Sequence, residues 1–460
     1  MYNKSQYRKK KVVSLLNDPI VLTALNKLNS CEYEAYLVGG SVRDSLMNRK
    51  THDIDITTSA VPDEICRVFS DFHVIPTGIA HGTVTVMIDG TSVEITTFRT
   101  EKGYSDNRHP DEVEFTSSLK DDLSRRDFTM NAVAMNVEGK LIDPFGGRND
   151  IERGIIRCVG DPEKRFCEDS LRILRALRFS AELGFAVEEQ TEKSIFSCAV
   201  LLMNLSAERV CSELSRLICG KNAASVLLKY GKVIAVVLPC LSKMIGFEQH
   251  NIHHCFDVYE HCVITMKNVR PDVYMRLAAL LHDCEKPSCF SIDESGTGHF
   301  YGHAPKSAKS AYEQLKLLRF DSDTIEKATE LIRIHDSPIE CDIKTVKRKL
   351  SRLGKEQFFD LVELQRADNL AQAAEYRFRQ TNFDNLEELA NEIIKADECF
   401  SLKKLAVNGY DMLNLGLSGK SVGEMLNYLL GCVIDGSAQN EQDELLLEAL
   451  SKMKNEPSQK

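Results

Sequence analysis

Hydrophobic and polar positions follow two different rhythms along this chain, and the change falls near residue 160. Between about residues 30 and 160, short β-branched runs recur: EAYLVGG, HDIDITT, GTVTVMI, SVEITTF and EVEFT. Alternation and short apolar blocks bounded by turn residues are strand patterning. Helix-like stretches such as Val42–Met47 and Pro62–Phe69 lie between them. From about Asp161 onward the apolar positions recur three and four apart, as in LRILRALRFSAEL, AERVCSELSRLI, VYMRLAALLHD and KSAYEQLKLL. The pattern predicts an α+β head followed by a long all-α remainder. The expected divisions are a head over 1–160, a helical neck over 161–225, a helical body over 226–385 and a helical tail over 386–460. The last residues, KNEPSQK, read as frayed.

Composition narrows this picture. A chain of 460 residues exceeds one ordinary core, and 43% hydrophobic content is enough for several. No apolar run approaches the roughly 18 residues of a membrane span. The N-terminus, MYNKSQYRKKKVV, is basic without a following apolar signal segment, so the expected location is the cytoplasm. The 15 cysteines are scattered singly, as at Cys31, Cys66, Cys158, Cys167 and Cys211, with no C-x-x-C pair. That spacing favours reduced thiols over a zinc ribbon. The net charge of −10 opposes a uniformly nucleic-acid-binding surface. Arg and Lys nevertheless cluster between Arg165 and Arg178, while acids dominate the C-terminal quarter, which leaves room for an RNA partner.

Two features of the head carry chemistry. In Leu37-Val38-Gly39-Gly40-Ser41-Val42-Arg43-Asp44 a strand ends in two glycines and a helix is expected from Ser41. Glycines let backbone N–H groups approach a ligand, and a helix N-terminus favours anions. Arg43, in the first turn, is available to a triphosphate. The plain alternative is a tight strand–helix turn. The second feature is Asp53-Ile54-Asp55 on the next strand. Residues two apart share a strand face, so both carboxylates project together. Like charges so placed repel unless a cation such as Mg²⁺ bridges them, as two-metal phosphoryl transfer requires. An acidic, solvent-facing strand is the other reading. Glu94, in SVEITTF, is a candidate third carboxylate or an ordinary outward-facing residue.

These residues resemble the nucleotidyltransferase superfamily of DNA polymerase β, poly(A) polymerases and CCA-adding enzymes, and most closely the bacterial and eukaryotic class of tRNA nucleotidyltransferases. LVGGSVRD with DIDITT resembles the metal and triphosphate motif, and FRTEKGYSDNRHPDEVEF the flexible loop. LSRRDFTMNA resembles the ribose-contacting motif, IDPFGGRNDI the hinge, EDSLRILRALRF the base-reading motif and AERVCSELSRL the motif bracing the neck. The likeness is strong over about 30–220 and looser to about 440. Motifs matching in fixed order are far more specific than any one string. It implies a polymerase-β-like head that adds C, C and A to tRNA from CTP and ATP. Asp53 and Asp55 would hold Mg²⁺ and, with Glu94, form the catalytic set; Gly40 and Arg43 would seat the nucleotide. Arg126 would contact the ribose, and Arg175 and Arg178 the nucleotide further along. Asp169 and Arg172 would read the base. A carboxylate only accepts hydrogen bonds and a guanidinium only donates them. Cytosine and adenine each offer an amino donor beside a ring acceptor, whereas uracil and guanine present a carbonyl and a ring N–H instead. The bland alternative for Asp169, Arg172, Arg175 and Arg178 is a charged, solvated helix stripe.

The helical half carries a second constellation: His254, His261, His282-Asp283, His303, His335 and Asp368. It resembles the HD phosphohydrolase domain. The likeness implies His261, His282, Asp283 and Asp368 as ligands of a divalent metal, with His303 and His335 joining a second ion. Glu285 stands where that motif has glycine, which bears on the turn. Phosphomonoesters or 2′,3′-cyclic ends would be the substrates; a retained fold without chemistry is the competing view. Over 405–436, Gly416 and Gly419 precede a helix start that suits a tRNA phosphate or serves as a plain loop. Alternatives for the whole chain are a poly(A) polymerase, an A-adding enzyme, or an HD phosphohydrolase with an RNA-binding head. The full-length loop 99–115 argues against CC-only addition. Oligomeric state is not legible.

Overall fold

The computed structural model describes residues 15–51, 53–103, 112–251, 255–396 and 398–455. His254, the centre of the expected flexible loop and the last residues of the tail lie outside these. The chain divides into two compact units, one through Pro239 and one from Cys240. The expected boundaries at 225 and 385 each fall inside a helix, Ala223–Val237 and Gln380–Lys395. The first of these packs on the helix Leu171–Leu183 and buries Val226, Leu227, Val233 and Ile234, so it stays with the N-terminal unit. The division therefore comes at Pro239, where the helix has ended.

In the N-terminal unit the strands are β1 (Ala35–Leu37), β2 (Ile54–Thr58), β3 (His73–Gly78), β4 (Thr83–Ile88), β5 (Thr91–Thr97), β6 (Arg99–Lys102), β7 (Glu112–Phe115), β8 (Ala134–Met135), β9 (Leu141–Ile142), β10 (Ile155–Ile156) and β11 (Ala186–Val187). Seven form one sheet in the order β3-β4-β5-β2-β1-β8-β9, and β6 pairs with β7 as a separate hairpin. Within the seven-stranded sheet β2 runs parallel to β5 and the other pairings are antiparallel, and β10 pairs with β11 in parallel apart from it. Strict alternation in β4 sends Val84, Val86 and Ile88 to the core. Val93 and Ile95 join them from β5, along with Ile54 and Ile56 from β2. Each such burial is worth roughly 1.5–3 kcal/mol, so the apolar partners fix which face β2 turns outward. The face left over carries Asp55 and Glu94.

Beyond the sheet, the helix Leu171–Leu183 buries Ile173, Leu174, Ala176 and Leu177 and stops at Gly184, whose φ of +74° is the left-handed cap a glycine adopts at no steric cost. The helix Ala207–Ile218 packs against it. The C-terminal unit is nearly all helical. Its helices Val258–Asn268, Val273–Leu281, His303–Leu317, Ser322–Ile334 and Ile343–Leu370 surround one core, and Gln380–Lys395 packs on the last of them. The helices Gly409–Asn414, Lys420–Asp435 and Gln442–Asn455 share a core of their own, around Met412, Leu429 and Leu445. All fifteen cysteines are free thiols. Among the described residues no helix is long and apolar enough to cross a membrane.

Candidate nucleotide and metal sites

The head site begins with the turn between β1 and the helix Gly39–Leu46. The helix starts two residues earlier than the sequence suggests, at Gly39 rather than Ser41. Gly39 has φ +70°, and a Cβ there would lie 3.1 Å from Asp55 Oδ2 and 3.2 Å from Arg126 Nη1. Glycine is therefore required twice, by its backbone angle and by the approach of the catalytic-candidate side chains. Ser41 Oγ closes the turn by donating to the Val38 carbonyl at 2.8 Å.

Asp55 stands opposite Glu94 in the parallel register of β2 and β5. Adjacent strands are about 4.8 Å apart, so the two carboxylates are neighbours on one face. Asp53, exposed, precedes the strand. Burial pushes the Asp55 carboxyl up to about 6; Arg126 opposes the shift, and Glu94 and Asp53 add to it. A carboxylate crowded in this way favours a proton or a cation, and an all-oxygen donor set suits a hard divalent ion.

These groups open into a cleft of about 570 Å³, lined in part by Gly39, Gly40, Arg43, Asp53, Asp55 and Arg126 on the sheet side and by Arg175, Arg178 and Phe179 from the helix Leu171–Leu183. Glu94 is not on its wall. The arginines are fixed. Arg43 donates to Asn131 Oδ1 at 2.8 Å and to both oxygens of Asp44 at 3.0 Å. Arg175 pairs with Asp127 Oδ2 at 2.7 Å. Burial alone would raise the Asp127 carboxyl, but Arg175, Asn131 and the Phe128 N–H outweigh it and hold it down at about 2. Arg178, only 2% exposed, is held by Glu213 at 2.5 Å and Glu182 at 2.8 Å. Arg43, Arg175 and Arg178 gather their guanidiniums on the Phe179 ring, at 4.8, 5.5 and 3.9 Å from its centroid.

Asp169 and Arg172 do not line this cleft. Asp169 sits in the break between the helices Pro162–Glu168 and Leu171–Leu183, in extended backbone. Arg172 precedes Arg175 by three residues, just under one turn and about 4.5 Å along the axis. Arg172 donates to Glu168 Oε2 at 2.9 Å and to the carbonyls of Arg165 and Arg125 at 3.1 and 3.2 Å. Asp169 accepts from Arg209 at 2.8 and 3.0 Å. The stripe is thus not a solvated face: Arg172 and Arg178 are buried. Sequence reasoning missed Asn131, Phe179, Arg209 and Arg216 as parts of the site. Asn131 and Arg209 lie inside recognisable motifs, and only long-range pairing gives them a role.

A second cluster is built in the C-terminal unit from the ends of five helices. His261 is on Val258–Asn268, His282 and Asp283 follow Val273–Leu281, His303 opens His303–Leu317, His335 follows Ser322–Ile334, and Asp368 is near the end of Ile343–Leu370. Asp283 lies between two sets. Its Oδ2 faces His282 Nε2 at 3.1 Å and His261 Nε2 at 3.8 Å, and His261 also meets Asp368 Oδ1 at 2.7 Å. Its Oδ1 faces His303 Nε2 at 3.1 Å and His335 Nε2 at 3.5 Å. His282, His303 and His335 each direct Nδ1 at a carbonyl three residues earlier, at 2.8, 2.8 and 2.7 Å. That turns Nε2 of each toward the cluster, the arrangement metal-binding imidazoles use. Lys286 Nζ meets Asp283 Oδ2 at 2.6 Å. Glu285 is not among the residues with positive φ, and its N–H is taken up by Ser307 Oγ at 3.0 Å, so the turn needs no glycine. The cluster borders a cavity of about 490 Å³.

A Poly A polymerase head domain matches residues 35–157, the RNA and SrmB-binding site of polymerase A matches 184–244, and tRNA nucleotidyltransferase domain 2 matches 300–449. The CCA-adding enzyme of Lactobacillus helveticus is 51% identical over 202 residues, 44% of this chain and 50% of that protein. The one from a Geobacillus species is 50% identical over 223 residues, 48% of this chain and 54% of that protein. Over the whole length, the crystal structure of the Bacillus stearothermophilus CCA-adding enzyme in complex with CTP superposes with a TM-score of 0.69 at 29% identity, covering 95% of this chain and 97% of that one. The chain belongs to the tRNA nucleotidyltransferase and poly(A) polymerase family. The match to the curated relatives spans about half their length. The Thermotoga maritima CCA-adding enzyme complexed with tRNA, at 21% identity, TM-score 0.62 and coverage of 96% and 98%, shares the fold.

Proposed function

We propose that this chain adds C, C and A in turn to the 3′ end of tRNA, using CTP and ATP and releasing pyrophosphate. The observation that carries the reading is the meeting of Asp53 and Asp55 with the Gly39–Gly40 turn and a wall of fixed arginines in one cleft. Asp53 and Asp55, with Glu94 beside them, would hold Mg²⁺, which supplies Lewis-acid activation of the transferred phosphoryl group when bound. The backbone N–H groups at the start of Gly39–Leu46 face the triphosphate, and Arg43 adds positive charge there without moving. Arg126 reaches the ribose, and Arg175 and Arg178 flank the nucleotide. The tRNA 3′-oxygen forms its bond to the α-phosphorus as the bond to the β-phosphate oxygen breaks, with no covalent enzyme intermediate. Asp169 accepts from the amino group of cytosine or adenine, and Arg172 donates to the adjacent ring acceptor. Uracil or guanine leaves both unpaired, at roughly 1–3 kcal/mol each. We place the functional parts as head, neck, body and tail, with tRNA carried by the helical tail and the protein in the reducing cytoplasm that its free thiols suit.

The buried imidazole–carboxylate cluster supports a second activity, hydrolysis of phosphomonoesters or 2′,3′-cyclic ends. Its mixed nitrogen and oxygen donors suit a borderline ion rather than Mg²⁺. His261, His282 and Asp368 would hold one ion and His303 and His335 another, with Asp283 between them.

The test is to give purified protein a tRNA lacking CCA with both nucleotides, in wild type and Asp53→Ala. Three-nucleotide growth in the wild type, lost in the variant while phosphatase activity persists, supports both readings. Growth that survives Asp53→Ala contradicts the first.

A further inference from the structure

Arg209 on the helix Ala207–Ile218 behaves unlike the other neck arginines. Arg178 spreads its donors over Glu213 and Glu182 and stacks on Phe179, as a structural guanidinium does. Arg172 spreads its own over one carboxylate and two carbonyls. Arg209 spends a single nitrogen, Nη2, on the two oxygens of Asp169, at 3.0 and 2.8 Å. Its Nη1 is buried without a hydrogen-bond partner among the described residues. Among the described residues, both hydrogen bonds of the Arg209 guanidinium go to Asp169, so its chemistry is directed there. Asp169 needs such a clamp. It lies in extended backbone between two helices, and the terminal torsion of an aspartate is broad and two-fold. Among the described residues, the other bond on its carboxylate is the one Oδ1 accepts from the Leu171 N–H at 3.1 Å.

We infer that Arg209 is a positioning residue for base selection. It fixes the plane of the Asp169 carboxylate, so that the remaining lone pairs point at the amino group of an incoming cytosine or adenine. The inference rests on the reading of Asp169 as a base reader. A carboxylate free to rotate can still accept a bond, but it no longer penalises a carbonyl in the amino position by a fixed geometry. Substitution of Arg209 therefore costs selectivity ahead of turnover.

The experiment compares wild type, Arg209→Ala, Arg209→Lys, Asp169→Ala and the Asp169→Ala/Arg209→Ala double variant of the full chain. Preference for CTP over UTP is read twice: as kcat/KM on tRNA lacking CCA, and as equilibrium dialysis of the two nucleotides without turnover. Thermal melts establish that each variant folds. The expected result is a loss of CTP preference of about ten-fold or more in Arg209→Ala, expressed mainly in KM. Arg209→Lys restores part of it, and the double variant is no worse than Asp169→Ala. A uniform fall for CTP and UTP with the ratio intact overturns the positioning role while leaving the base-reading assignment standing. An unchanged ratio in Asp169→Ala overturns both.

Discussion

The two clusters of potential metal ligands are held in opposite ways. In the head the donors are carboxylate oxygens: Asp55 and Glu94 face outward from the neighbouring strands β2 and β5, and Asp53 just precedes β2, with Asp53 and Glu94 exposed. In the C-terminal unit, imidazoles and carboxylates converge from five helix ends. His261, His282 and Asp283 there are at most 1% exposed, and three rings are locked through Nδ1. An open oxygen site lets water, metal and a large polyanion exchange together, which suits a substrate that arrives with its own phosphates. Imidazoles fixed through Nδ1 and set among carboxylates suit a borderline divalent ion. The contrast is one of donor chemistry and burial: open carboxylate oxygens beside a sheet against buried imidazoles at helix ends.

The contrast breaks most sharply on single substitutions. Asp55→Ala is expected to lower nucleotide addition by on the order of a thousand-fold or more and to leave metal content at the buried cluster unchanged. His282→Ala is expected to do the reverse, measured by metal analysis of the purified protein beside the addition assay. If either variant removes both properties, the two clusters are not independent. A smaller effect is expected from Asp169→Ala, which should lower the preference for CTP over UTP by roughly ten- to a hundred-fold with modest change in the rate for CTP. Primer-extension kinetics with each nucleotide check it.

The smallest effect concerns stability. Asp127 is depressed to about 2 in the folded protein, below its unfolded value, so its stabilising contribution is complete above about pH 4 and is lost as pH falls through about 2. At roughly 1.4 kcal/mol per pH unit the contribution is about 2 kcal/mol. Thermal melts from pH 6 to pH 3 should show a steeper loss in wild type than in Asp127→Asn. Equal slopes would place the Arg175–Asp127 pair outside the stability of the head.

Much of the head is legible in the sequence because a strand has a period of two. That period predicts Asp53 and Asp55 on one side; the strand itself begins at Ile54, yet both residues line the same cleft, and the register of β2 on β5 sets Glu94 beside Asp55. The helical period likewise locates Leu174 and Leu177 in the core. Features that depend on contacts between distant positions are not legible. By spacing alone the arginine stripe is either solvent-facing or base-reading, yet Arg178 is buried by Glu213, thirty-five residues away. Arg209 finds Asp169 across forty residues. The divisions expected at 225 and 385 fail to mark element ends because both lie in uninterrupted helical pattern, where composition does not change. Family likeness supplies the ligand list of the buried cluster. The two-sided placement of Asp283 emerges only where five helix ends pack together.

The most direct measurement offers the full chain a tRNA ending at the position before CCA, with CTP alone, ATP alone or both, and sequences the products. Two added C residues are expected with CTP alone, no growth with ATP alone, and C, C, A with both. Growth of an A tail from ATP alone would contradict this and make the chain a poly(A) polymerase.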